Sequence, residues 1–210
     1  MPSSFSGLFR TLAWTDFPKR QGSAPSPGQV ATAAFTDASF HFSGPSVQPV
    51  AGSRPPRFQV MDNLTMSVTF TRNQSFVMSW VFNRTQQFQD DMLHHEQGHY
   101  NIAALVSRDF FVDVMLLKLQ TFATAHDEQA AVQQIKTQSL DKIRNIHKLY
   151  DREVHPEQNS GVSRGPWQLS WDNFIQIAFT ALRSTGTQAP GAIPHKVRLV
   201  DVLIRNGKSI

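Results

Sequence analysis

The hydrophobic pattern of this chain changes period near residue 86. Before it, apolar positions come in short, partly alternating runs broken by proline, glycine and serine. Val30 to Phe42 alternates, with Phe40 and Phe42 on one side and His41 on the other, and predicts a strand. Phe58 to Thr71 and Ser75 to Phe82 predict two more, joined by a polar turn at Arg72-Asn73-Gln74. Breaker-rich connectors fill Gln21–Gly28 and Ser43–Arg57. Phe5, Phe9, Trp14 and Phe17 form an aromatic cluster ahead of the first connector.

After residue 86 the period lengthens. From about Phe88 to Thr121 there is no proline, and Ile102, Val106, Phe110, Val114 and Leu117 recur at helical steps. Thr124 is placed to cap a second helix, with Asp127 and Glu128 in its first turn and Val132, Ile135, Ile143, Ile146 and Tyr150 along one face. Trp167 to Leu182 predicts a shorter third helix, and His195 to Ile204 a late strand. The expectation is an α+β fold in one domain. An aromatic arm and linker (1–28) precede a β-rich part with an antiparallel or mixed sheet (29–86), a helical part (87–182) and a C-terminal tail (183–210).

Composition narrows the classes. At 210 residues and 40% hydrophobic content, with 16 Phe and 4 Trp, the chain can bury a core without covalent staples. It has no cysteine, so any metal must be held by His, Asp or Glu. The net charge of +4 comes from scattered residues rather than a basic run, which argues against a nucleic-acid partner. Arg108, Asp109 and Asp113 interrupt the most apolar region, so no membrane span is expected. Met1 to Arg20 has Arg10 inside its only apolar patch and predicts no export signal.

The chemistry centres on His95-Glu96-Gln97-Gly98-His99. Residues four apart share a helical face, so His95 and His99 can direct two imidazole nitrogens at one metal ion. Glu96 is then placed to hold a water beside the metal and take its proton. With 8 His and four Glu in the chain, about 0.006 chance matches to this spacing are expected, so the match carries weight. The bland alternative is a surface helix with two solvated histidines. Gly98 costs roughly 1 kcal/mol against Ala within a helix, which implies that something packs closely there.

A catalytic zinc site takes three protein ligands. From His99 to Thr121 the first helix climbs about 33 Å, and an antiparallel second helix starting near residue 126 descends that distance in about 22 residues. Glu128 is thereby stranded, and the stretch His147 to His155 arrives beside His99. It carries His147, Asp151, Glu153 and His155. His155, in a loop before Pro156, is the first choice for third ligand and Asp151 the next. Asp151 is alternatively an acceptor that orients a ligating imidazole. Tyr150, if it faces the cleft, can donate to an oxyanion.

Several segments resemble, in order, a bacterial family described as predicted secreted zinc-dependent proteases, long catalogued as a domain of unknown function. Leu12-Ala13-Trp14-Thr15-Asp16-Phe17 is similar to its opening Leu-x-Trp-x-Asp-Phe, and Ala33 with its neighbours to the Ala/Thr strand that follows. Ser79-Trp80-Val81 resembles the strand before its active helix, and His95 to Ala103 the helix itself. Tyr150-Asp151-Arg152-Glu153 matches its Tyr-Asp-x-x, and Gln168 with Trp171 its late Gln-x-x-Trp. The family continues Thr-x-His-Gly/Ser where this chain has Val154-His155-Pro156, so the family's histidine falls one position early at His155. The resemblance implies a zincin-like fold, one catalytic Zn2+, a peptide or protein substrate, and a typically exported protein. Three rivals stand beside it: a non-catalytic metal-binding or interaction module, a zinc amidase acting on peptidoglycan or another amide, and a ferritin-like di-iron protein. The last needs a second Glu-x-x-His pair, which this chain lacks.

Overall fold

The computed structural model describes residues 3–26, 32–154, 165–184 and 198–210. The architecture among them is α+β, with small mixed sheets and four helices. β1 (Ser4–Ser6) runs parallel to β7 (Thr65–Phe70), whose other edge pairs antiparallel with β4 (Ala38–Ser43). β8 (Phe76–Met78) lies between β2 (Lys19–Arg20), which is parallel to it, and β3 (Ala34–Phe35), which is antiparallel. β5 (Val47–Pro49) and β6 (Phe58–Val60) form a hairpin. Each sheet turns apolar residues toward the helices. Phe40 and Phe42 both meet the ring of Phe110, at 5.3 and 5.2 Å, while His41 on the opposite face is exposed.

The long helix α1 (Gln86–Leu116) begins at Thr85, whose hydroxyl accepts from the Phe88 N–H. A short 3-10 turn at Leu117–Leu119 ends it. Phe122 then exchanges backbone hydrogen bonds with Phe58, which ties the connection to the hairpin. α2 (Ala125–Val154) opens with a reciprocal cap: the Thr124 hydroxyl accepts from Asp127 N–H, and the Asp127 carboxylate from Thr124 N–H. α3 (Gly165–Ser184) and α4 (Leu199–Arg205) follow. α1 serves two buried clusters at once. Tyr100, Ala104, Phe110, Phe111 and Val114 face the sheets. Ile102, Leu105 and Val106 face Ile146, Tyr150, Trp171 and Leu203 of the other helices.

Five sequence expectations are corrected. The strand foreseen over Val30–Phe42 splits at Thr36–Asp37 into β3 and β4, which join different sheets. Phe58–Thr71 likewise divides into β6 and β7, and only Phe76–Met78 of the third run is extended, since Ser79–Asn83 coils into a 3-10 helix. The N-terminal segment is no separate arm. It supplies β1 and β2, and its rings disperse: Phe5 onto Phe111, Phe9 onto Phe179, Trp14 onto Phe17 and Phe82. The late strand is the helix α4, because Leu199, Val202 and Leu203 are all buried and only helical spacing puts them on one side; residues 195–197 lie outside the described ones. No described helix is long and apolar enough to cross a membrane.

A charged cluster joins α1 to the start of α4. Arg198 pairs with Asp113, while the Asp109 Oδ2 and both terminal nitrogens of Arg108 are sealed from solvent without hydrogen-bond partners. Burial pushes the Asp109 carboxyl up to about 8 against the opposing pull of Arg198 and Arg108. An acid whose folded pKa exceeds its ordinary 3.8 holds its proton more tightly in the fold. Its contribution is therefore most favourable below pH 4 and is lost as the pH rises toward 8. Asp109→Asn should remove that loss. Its stability relative to the parent should grow by on the order of 1–3 kcal/mol between pH 4.5 and 8, measured by urea melts across the range. Parallel pH profiles for the two proteins would refute the assignment.

Candidate metal centre

His95, Glu96 and His99 sit in the first half of α1, where the helix is buried on most sides. The antiparallel α2 brings Asp151 to them. The three donor atoms converge: His99 Nε2 is 3.2 Å from His95 Nε2 and 2.9 Å from Asp151 Oδ1, and His95 Nε2 is 3.3 Å from the same oxygen. Ligands held at 2.0–2.1 Å around a tetrahedral zinc ion are separated by about 3.3 Å. The donor set therefore fits a metal ion, and His95, His99 and Asp151 can hold one. The imidazoles are buried and the Asp151 side chain is 46% exposed, so the set opens toward solvent on its α2 side.

The electrostatics follow from this crowding. Burial works against the Asp151 carboxylate, but the contacts from His95 and His99 outweigh it and hold its pKa well below the usual range. Burial likewise opposes charge on His99, and Asp151 together with Glu96 reverses the balance and raises it. Glu96 is 2% exposed, and its Oε2 has no hydrogen-bond partner. Desolvation raises its pKa, opposed by the His99 charge and by Thr36, whose buried hydroxyl stands near the carboxyl but outside hydrogen-bonding geometry.

The remaining expected residues are placed as follows. His155 lies outside the described residues. His147 packs edge-on against the His99 ring at 4.9 Å and stays outside the converging donor set. Burial holds its pKa down to about 3. Glu153 faces α3 and the C-terminus, accepting from the Trp171 indole and Lys208. Tyr150 does not offer its hydroxyl to the donor set. It is fully buried, donates to the His95 carbonyl oxygen and lies against Gly98, where a Cβ would come within 2.2 Å of the hydroxyl oxygen. That close approach is the reason for glycine within the helix.

Two contributors escaped the sequence reading. Thr36 reaches Glu96 only because the chain breaks between β3 and β4, and no spacing rule announces that break. Gln97 pins the N-terminal segment to α1 by accepting from Leu12 N–H and donating to Arg10 O, and Tyr100 adds a hydrogen bond to Gly7 O. An uncharged Gln between two buried ligands was the available signal.

Compared with protein-family models, with curated proteins and with solved structures, the chain matches none. The donor geometry therefore stands by itself. Asp151→Ala should lower divalent-metal affinity at least about 10-fold, measured by equilibrium dialysis with elemental analysis, while His147→Ala should retain stoichiometric metal. The reverse pattern would move the third donor from Asp151 to His147.

Proposed function

We propose that this chain is a zinc-dependent metallopeptidase of zincin-like design, related to the secreted zinc-dependent protease family that its sequence resembles. The observation that carries the proposal is the spacing of His95 Nε2, His99 Nε2 and Asp151 Oδ1 at 2.9–3.3 Å, with Glu96 adjacent in sequence and buried beside them. Two imidazoles and one carboxylate, in a chain without cysteine, are a donor set that suits zinc. A zinc ion bound there would polarise a scissile carbonyl and acidify a water. Glu96 is then the general base: it takes the proton from the attacking water and returns it to the leaving nitrogen as the carbon–nitrogen bond breaks. Among the described residues β3 is the outer strand of its sheet, packs on α1 and continues into Thr36 beside Glu96. That placement supports alignment of an extended peptide by strand addition.

One observation favours a second reading, a metal-binding module without turnover: Glu96 is almost completely enclosed. An amide substrate other than protein, such as peptidoglycan, would use the same residues in the same roles. Glu96→Gln separates the readings. It should keep one zinc per chain and lose about 10²–10⁴-fold in turnover of a peptide library. Equal cleavage by both proteins would sink the assignment of Glu96. Zinc binding without cleavage of peptide or peptidoglycan by the parent would favour the module.

A further inference from the structure

Tyr150 precedes Asp151 and is fully buried, yet its hydroxyl takes no part in the proposed chemistry. Its ring lies flat on His95, with centroids 4.8 Å apart and planes 10° apart. It meets His99 edge-on at 5.0 Å and Trp171 at 5.1 Å, so the ring itself is boxed in. Gln168 Nε2 donates to the Tyr150 hydroxyl at 3.1 Å and to Asp172 Oδ1 at 2.8 Å. The hydroxyl's one proton has two acceptors in reach, the Gln168 Oε1 at 3.2 Å and the His95 carbonyl oxygen at 3.3 Å. Asp172 is held in turn by His94 at 2.9 Å. The second torsion of a histidine side chain is broad, so helix geometry alone does not fix where Nε2 points. A parallel ring clamped at its far end does.

We propose that Tyr150, anchored by Gln168 and Asp172 of α3, is a positioning residue that fixes the ring plane of His95 and so aims its Nε2 at the point shared with His99 and Asp151. The inference rests on the metal-site reading above and extends it to a helix that supplies no ligand. α3 then acts on the site through the chain Asp172–Gln168–Tyr150–His95, with Trp171 backing the Tyr150 ring.

The test is zinc affinity of the full chain, by competition with a chromophoric chelator, together with the visible spectrum of the cobalt-substituted protein. Tyr150→Leu removes stack and anchor, and it should weaken zinc binding about 10–100-fold and shift the cobalt bands. Gln168→Leu leaves the ring but frees its end, and should give a smaller loss in the same direction. Tyr150→Phe should recover most of the affinity lost in Tyr150→Leu. Phe174→Leu, which trims the same buried cluster without touching His95, should lower the melting temperature and leave affinity and spectrum unchanged. If Tyr150→Leu does not fold, Gln168→Leu carries the test alone. Parental affinity and spectrum in the folded Tyr150 and Gln168 variants would overturn the positioning role while leaving the metal site intact. Absence of zinc binding by the parent chain would overturn both.

Discussion

The close approach of α2 to α1 at one residue governs the rest of this molecule. Gly98 has no side chain, and the Tyr150 hydroxyl occupies the space a Cβ would need, 2.2 Å from its ideal position. Any other residue there must displace the Tyr150 ring or part the helices at the level of His95 and His99. The donor atoms are only 2.9–3.3 Å apart, so a displacement of an ångström would leave Asp151 out of reach. Glycine weakens the helix by about 1 kcal/mol, which the burial of Tyr150, Ile146 and Leu149 against α1 offsets. Local propensity loses to tertiary contact here, and the outcome is the site.

α1 can bear that loss because it is held on both sides. One face meets the sheets through Tyr100, Ala104 and Phe110, and another meets α2, α3 and α4 through Ile102, Leu105 and Val106. Gln97 and Tyr100 also fasten the N-terminal segment to it. A helix enclosed in this way presents few polar groups to water. His95, Glu96 and His99 are among the ionisable residues that remain inside, and they carry a desolvation cost that mutual contact or a ligand relieves.

Legibility in the sequence follows the range of the interactions involved. The α1–α2 hairpin was legible because its periodicity is long and Thr124 forms its cap from nearby residues. Helical rise alone brought the stretch from His147 to His155 beside His99, and Asp151 falls within it. The order of preference inside that stretch was not legible. His155 took precedence on residue type and resemblance and lies outside the described residues, whereas His147 and Asp151 share a face of α2 one turn apart, and only the position of that helix along its axis against α1 selects between them. Strand boundaries failed for a related reason. Ala34–Phe35 and Ala38–Ser43 share one alternation, and the switch between sheets at Thr36–Asp37 is decided by partners far along the chain, Phe76 and Val77 for the first and Thr65 to Phe70 for the second. Val200 and Val202 favour a strand locally, and packing on Trp171 and Phe174 in the helical cluster overrides them.

The carboxylate of Asp151 beside two imidazoles has an electrostatic consequence for the site as a whole. Asp151 and Glu96 place two acidic groups beside two imidazoles in a largely buried space. Burial raises the pKa of Glu96, and against burial Asp151 and Glu96 raise that of His99. A cation accepted by the donor atoms would take over the task of the His99 proton, since a ligating nitrogen must be bare. Uptake of a metal there would therefore release a proton. A third histidine would add no negative charge. With only neutral donors, Glu96 would be the single acidic group beside the imidazoles. The Asp151 carboxylate lies 3.3 Å from His95 Nε2 and 2.9 Å from His99 Nε2, and its attraction for both draws the three donor atoms to one point.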